Sequence, residues 1–161
     1  MKDSVLLDTS FFIRLLNSED PLHENAKGYF KYFLENDITL KISTITIAEY
    51  CVRGRLDELP LKNIQIIPFN LNHAQKTGEF AKIIFEAQGL IKEKISPRAI
   101  IPNDSKLFAQ AELDQSVTHF VTSDTRSKKT INALKQKVNP MFEFIDINLS
   151  HNETFGILNF E

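Results

Sequence analysis

Cysteine is nearly missing from this chain: Cys51 stands alone, so no internal disulfide can form. Long apolar runs are missing too, since no stretch approaches the roughly 18 consecutive apolar residues that suggest a bilayer-spanning helix. Neither sign of charge dominates. With 19 Lys and Arg against 21 Asp and Glu, the formal net charge is −2, which is not the balance of a strongly basic nucleic-acid binder. Internal repeats, low-complexity tracts and Gly/Ser linkers are also absent. What is present is globular composition, 42% hydrophobic and 25% charged over 161 residues, enough for one apolar core and too little for two domains of usual size. The first residues, Met1 to Asp8, reach an acid before any apolar run of signal-peptide length. Together with the lone thiol, this leads us to expect a cytoplasmic protein with no membrane association.

The apolar periods alternate along the chain. Val5-Leu6-Leu7 has the density of a buried strand, and Phe11, Phe12, Leu15 and Leu16 follow at helical spacing. After a break at 17–21, Ala26, Tyr29, Phe30 and Phe33 mark a second helix reaching about Asn36. Ile38–Ile42 alternates as a strand and gives way to a helix through Ile47, Ala48, Cys51 and Val52. Ile64–Phe69 is β-branched, with Pro68 marking a strand end or sheet edge. A helix over 72–87 should turn Ala74, Thr77, Phe80, Ala81, Ile84 and Phe85 inward and stop at Gly89. Residues 90–102 suggest loop with some helix. Asn103-Asp104 then opens a helix carrying Leu107, Phe108 and Ala111, followed by a strand at 117–122, a basic helix at 125–137 and a strand at 142–147. Strands alternating with helices imply parallel pairing through right-handed crossovers: an α/β fold with about five parallel strands and helices on both faces. The domain is expected over 1–147. The tail 148–161, with Phe155, Ile157, Leu158 and Phe160, is expected as an extension packed on the domain, as an edge strand or otherwise, or on a partner.

Four acids fall at corresponding places. Asp8 ends the first strand, Glu49 lies in the helix after the second, Asp104 starts a helix, and Asp124 directly follows the strand ending at Thr122. In an open parallel sheet, ligands bind beyond the carboxyl ends of the strands, so these positions converge on one crevice. Carboxylates so close would repel one another unless a hard divalent cation such as Mg²⁺ sat among them. Such an ion suits phosphodiester hydrolysis. Each acid alone also has a structural explanation: Asp8, Asp104 and Asp124 as helix N-caps, and Glu49 in a capping box with Thr46.

The segments Val5–Ser10, Ser43–Glu49, Ile101–Ala111 and Val121–Asp124 resemble, in order and approximate spacing, the four acidic motifs of PIN-domain nucleases. The likeness covers about residues 3–147 and is greatest to the small VapC toxins of toxin–antitoxin pairs. It implies a three-layer α/β/α fold and Mg²⁺- or Mn²⁺-dependent cleavage of RNA to 5′-phosphate and 3′-hydroxyl ends. Asp8, Glu49, Asp104 and Asp124 would then hold the metal and orient water, with Thr9 or Ser10 supporting a carboxylate or a bound water. An antitoxin protein and a homodimer are the implied partners. In the third motif, Ser105, Lys106 and Phe108 stand where such proteins usually carry small aliphatic residues.

Basic residues cluster locally: Arg126, Lys128, Lys129, Lys135 and Lys137 follow the last acid, Arg53 pairs with Arg55, and Lys92 and Lys94 lie near Arg98. Arg126, Lys128 and Lys129 are placed to meet RNA phosphates. The four histidines lack zinc-ligand spacing, the phenylalanines at helical intervals belong to the core, and Cys51 is expected to be a buried, inert thiol. Two rival readings remain. One is a catalytically silent PIN-like module that binds RNA or protein. The other is an aspartyl-phosphate phosphatase of haloacid-dehalogenase type, disfavoured because Ser10 occupies the place of its second aspartate.

Overall fold

A computed structural model of the chain describes residues 1–89 and 103–157. Five strands, β1 (Ser4–Leu7), β2 (Thr39–Ser43), β3 (Ile64–Ile67), β4 (Val117–Thr122) and β5 (Glu143–Asp146), form one sheet in the order β3-β2-β1-β4-β5. All four pairings are parallel. The helices are α1 (Thr9–Leu15), α2 (His23–Glu35), α3 (Thr44–Tyr50), α4 (Leu71–Ala87), α5 (Asn103–Leu113), α6 (Thr125–Lys135) and α7 (His151–Phe155). Short 3-10 turns at Leu56–Glu58 and Leu61–Asn63 lead into β3.

Alternation along β1 divides the core in two. Val5 and Leu7 face Phe11, Phe12, Tyr29 and Phe33 of α1 and α2, whereas Leu6 faces Phe80 and Ile84 of α4, Phe108 of α5 and Leu134 of α6. A strand buried on both faces has no polar side to show, which is why Val5-Leu6-Leu7 is an uninterrupted apolar run. The result is the three-layer α/β/α sandwich anticipated from the order of periods.

One buried cation interrupts the apolar sheet. Lys41 in β2 is 7% exposed and pairs with Asp114, while also donating to Ser116 Oγ at 2.8 Å, so its charge is both paired and hydrogen-bonded.

Several local expectations need correction. The capping box on Thr46 does not form: β2 runs straight into α3, Ser43 is the N-cap and its hydroxyl accepts from Ile45 N–H at 3.0 Å. Glu49 therefore lies in the last turn of α3. Cys51 is the C-cap of that helix and is exposed, because α3 ends before its apolar face extends that far. On α4 the inward position is taken by His73 and not by Ala74, since the His73 ring closes a capping box with Asn70. Gly89 does follow the helix in the left-handed region, φ 71°. The described part of the tail is a helix and not an edge strand. Phe155 of α7 stacks on Tyr32 at 4.4 Å, and His151 lies over Gly28, where an added Cβ would come within 2.7 Å of its Nδ1. Residues 90–102, with Lys92, Lys94 and Arg98, and Leu158 and Phe160 lie outside the described residues.

Candidate active site

The strand order reverses at β1, whose neighbours β2 and β4 lead outward in opposite directions, so the crevice opens beyond the carboxyl ends of β1 and β4. Asp8 is the first residue past β1 and is buried. Its backbone N–H donates to Val121 O at 3.0 Å, which extends the β1–β4 ladder up to the acid itself. As N-cap of α1, its Oδ1 accepts from Thr9 N–H at 2.7 Å. The other oxygen, Oδ2, accepts from Thr122 Oγ1 at 2.7 Å and Ser10 Oγ at 3.0 Å. These two hydroxyls are in turn acceptors for backbone N–H groups, of Asp124 at 3.0 Å and of Ser123 at 2.9 Å. Donating both hydroxyl protons to Asp8 leaves every group in the set satisfied.

The other acids approach from three directions. Glu49 Oε2 accepts from Thr9 Oγ1 at 3.0 Å, while its Oε1 is buried with no close hydrogen-bond partner among the described residues. Asp104 is the second residue of α5 and partly buried. Asp124 is the N-cap of α6 and accepts from Arg126 N–H at 2.9 Å. Its carboxylate is also engaged by the Arg126 guanidinium, at 3.2 Å from Nε and 3.1 Å from Nη2.

Electrostatics separates three of these acids from the fourth. Burial raises Asp104 to about 6, helped by the negative charges of Asp8, Asp124 and Glu49 and opposed by Ser127. Burial also raises Asp8, against the hydrogen bonds from Thr122, Ser10 and Thr9 and with a further push from Asp124. Glu49 is raised by burial and by Asp8, less the help of Thr9, Asn103 and Lys106. Asp124 moves the other way, held below the usual carboxylate range by Arg126. The four acids thus share one electrostatic neighbourhood. Among the described residues, however, no three Asp, Glu, His or Cys side chains stand close enough together to grip a metal ion as they are.

The donor set nevertheless suits a hard cation. It is all oxygen, three of its acids are disfavoured as anions where they stand, and Glu49 Oε1 is a buried acceptor without a close hydrogen-bond partner among the described residues. Thr9 and Ser10 are assigned to different carboxylates, Thr9 to Glu49 and Ser10 to Asp8. Of the three basic residues expected near the site, Arg126 sits on Asp124, and Lys128 and Lys129 are exposed on α6. Sequence reading missed Thr122, which looks like an ordinary β-branched strand residue. Its only signal is its place two residues before an acid that caps a helix. Arg14 was missed as well: it pairs with Asp20 at 2.6 Å and reaches Ser123 Oγ at 3.4 Å, linking α1 to the end of β4 in a way that no local period reports.

No protein-family model matches the chain, and no curated protein matches it in sequence. Solved structures do match. A chain of FitAcB from Neisseria gonorrhoeae aligns with a TM-score of 0.60 at 19% identity, covering 90% of this chain and 99% of that one. VapBC2 from Rickettsia felis, bound to a DNA fragment from its promoter, gives 0.56 at 18% identity over 89% and 98% of the two chains. VapC20 from Mycobacterium tuberculosis, a toxin that cleaves the sarcin-ricin loop, gives 0.52 at 15% identity over 77% and 92%. The fold is PIN-like. At these identities the PIN-like likeness is one of architecture. It spans nearly the full length of the matched chains and 77–90% of this chain.

Proposed function

We propose that the protein is a metal-dependent endoribonuclease that hydrolyses RNA phosphodiester bonds as the toxin of a toxin–antitoxin pair. The observation that carries this reading is the convergence of Asp8, Glu49, Asp104 and Asp124 beyond the ends of β1 and β4, with three of them pushed towards neutrality by burial and mutual repulsion. Asp8, Glu49 and Asp104 would hold Mg²⁺ or Mn²⁺, with Asp124 joining once Arg126 swings away. That exchange is easy because the Arg126 side chain is 87% exposed, and solvent screens a surface ion pair of this kind. A divalent ion bound there supplies charge neutralisation at the phosphoryl oxygens and lowers the pKa of a bound water.

The chain's own groups have distinct tasks. Thr122 and Ser10 fix the Asp8 carboxylate by donating to one of its oxygens, leaving a single defined orientation. Thr9 does the same for Glu49, whose other oxygen is buried and left without a partner among the described residues. Arg126, Lys128 and Lys129 supply positive charge for the flanking phosphates. The FitAcB and VapBC structures make a small antitoxin protein the natural partner, and a homodimer would lengthen the RNA-binding surface.

A silent binding module is the second reading, and two findings favour it: Asp124 is already paired, and among the described residues the acids do not form a ready cation site. Cleavage by purified protein decides. With Mn²⁺ the wild type should cut RNA to 5′-phosphate and 3′-hydroxyl ends, chelation should stop it, and Asp8→Asn or Glu49→Gln should reduce the rate at least about 100-fold, the loss expected when a metal-orienting group is removed. Retained activity in both variants would assign the acids to structure alone.

A further inference from the structure

Beside the carboxylates lies a cleft of about 840 Å³ between α1 and the turn that follows α3. One end is formed by Thr9 and Glu49, so the cleft and the candidate active site are continuous. Its lining sets exposed apolar side chains among polar and charged ones. Ile13 and Leu16 of α1 are 50% and 40% exposed, and Val52 opposite them is 79% exposed. Tyr50 stands between, its hydroxyl donating to Glu58 Oε2 at 2.7 Å and its ring lying so close to Gly54 that a Cβ there would strike ring atoms Cε1 and Cζ. The glycine and the tether hold the ring in one place. Two guanidiniums border the cleft: Arg126, already over Asp124, and Arg53, which has no ion-pair partner among the described residues.

We propose that this cleft is a nucleotide subsite in which an unpaired base of single-stranded RNA stacks against Tyr50 among Ile13, Leu16 and Val52. Arg53 and Arg126 contact the phosphates on either side. The subsite presupposes the ribonuclease reading and deepens it by specifying an unpaired strand. Aromatic rings beside cationic side chains are how proteins hold single-stranded nucleic acid, the ring serving any base and the cations serving the backbone. The guanidiniums decide between RNA and an apolar protein segment, because a segment covering the walls would have to bury or pair Arg53, whereas a phosphate pairs it directly. Glu58 brings a negative charge to the cleft, but its carboxylate faces Arg55 Nε at 4.0 Å and accepts from the Tyr50 hydroxyl, so Arg53 remains for a phosphate.

The test uses the full chain carrying Asp8→Asn, so that binding is measured without cleavage, with Mn²⁺ and short single-stranded RNAs bearing 2-aminopurine at successive positions. Binding should quench the probe at one position. Adding Tyr50→Leu should abolish that quench and weaken binding about fivefold or more, Tyr50→Phe should preserve both, and Arg53→Gln, at an exposed site that cannot disturb folding, should weaken binding by a similar factor. With Asp8 restored, Tyr50→Leu should alter the nucleotide preference at a fixed distance from the cut. Full affinity and quench in both the Tyr50→Leu and Arg53→Gln proteins would overturn the subsite, as would be seen if the cleft receives a protein segment. In that case continued Mn²⁺-dependent cutting by the wild type leaves the ribonuclease reading standing, while absence of both RNA binding and cutting by the wild type overturns the two together.

Discussion

Asp8 is buried and Asp104 partly buried in one neighbourhood, yet removing their charges should affect the metal-free protein differently. Asp8 accepts three hydrogen bonds, two of them from hydroxyls whose oxygens are already occupied by backbone donors. An amide nitrogen in place of Oδ2 would face those hydroxyls with the wrong polarity, so Asp8→Asn should not stabilise the fold. Asp104 is different. Its pKa of about 6 means that ionisation at neutral pH works against folding, and Asn removes that penalty. Asp104→Asn should therefore raise the thermal midpoint in EDTA at pH 7.5 by several degrees, equivalent to about 1–2 kcal/mol after discounting for partial exposure. Mn²⁺ should then raise the midpoint of the wild type and barely move that of the variant. Parallel midpoints with and without the ion in both proteins would count against a cation at this position.

At the scale of elements, the capping box that starts α4 carries a titratable group. His73 Nδ1 accepts from Asn70 N–H at 3.1 Å, while Asn70 Oδ1 accepts from His73 N–H at 3.1 Å. Burial holds the ring below the ordinary histidine range, against the pull of the Pro68 carbonyl and Asp114. A base depressed by folding stabilises the protein above its unfolded value of 6.5 and loses that contribution as the pH falls below it. Urea midpoints of the wild type should decline from pH 7 to 5 more steeply than those of His73→Gln, which can rebuild the box without titrating. The same element shows what sequence can convey. The spacing of Thr77, Phe80, Ala81, Ile84 and Phe85 marks its inner face because burial and period coincide there. Ala74 misleads, since an apolar residue so near a helix start yields its place to whichever side chain can satisfy the free backbone N–H groups. Thr46 misleads similarly: Ser43 takes the cap in its place, and the outcome depends on β2 running into α3 without a loop.

The whole molecule carries little net charge, but that charge is unevenly spread: acids gather at the end of β1 and bases lie along α6. RNA affinity should accordingly fall with salt despite the net charge of −2. Replacing Lys128 and Lys129 with Gln should make the slope of log affinity against log salt shallower by about 0.7 for each phosphate that is no longer neutralised, in an anisotropy titration with single-stranded RNA. An unchanged slope would place both lysines off the RNA path. The sheet order was legible only in part. Alternating periods imply parallel strands, and four acids at corresponding positions imply a common edge, but the convergence itself depends on pairings between distant segments such as Leu7 with Val121. Local periods cannot report these, nor can they report that Thr122 reaches across the β1–β4 gap to Asp8.

Placing β1 at the centre of the sheet, with β4 as one neighbour, also sets a timetable. Asp8 leaves the ribosome more than a hundred residues ahead of Thr122, Ser123 and Asp124, which complete its surroundings. Until that later strand docks, the Asp8 carboxylate is an isolated acid on an unfinished chain, and whatever chemistry the assembled pocket performs stays switched off.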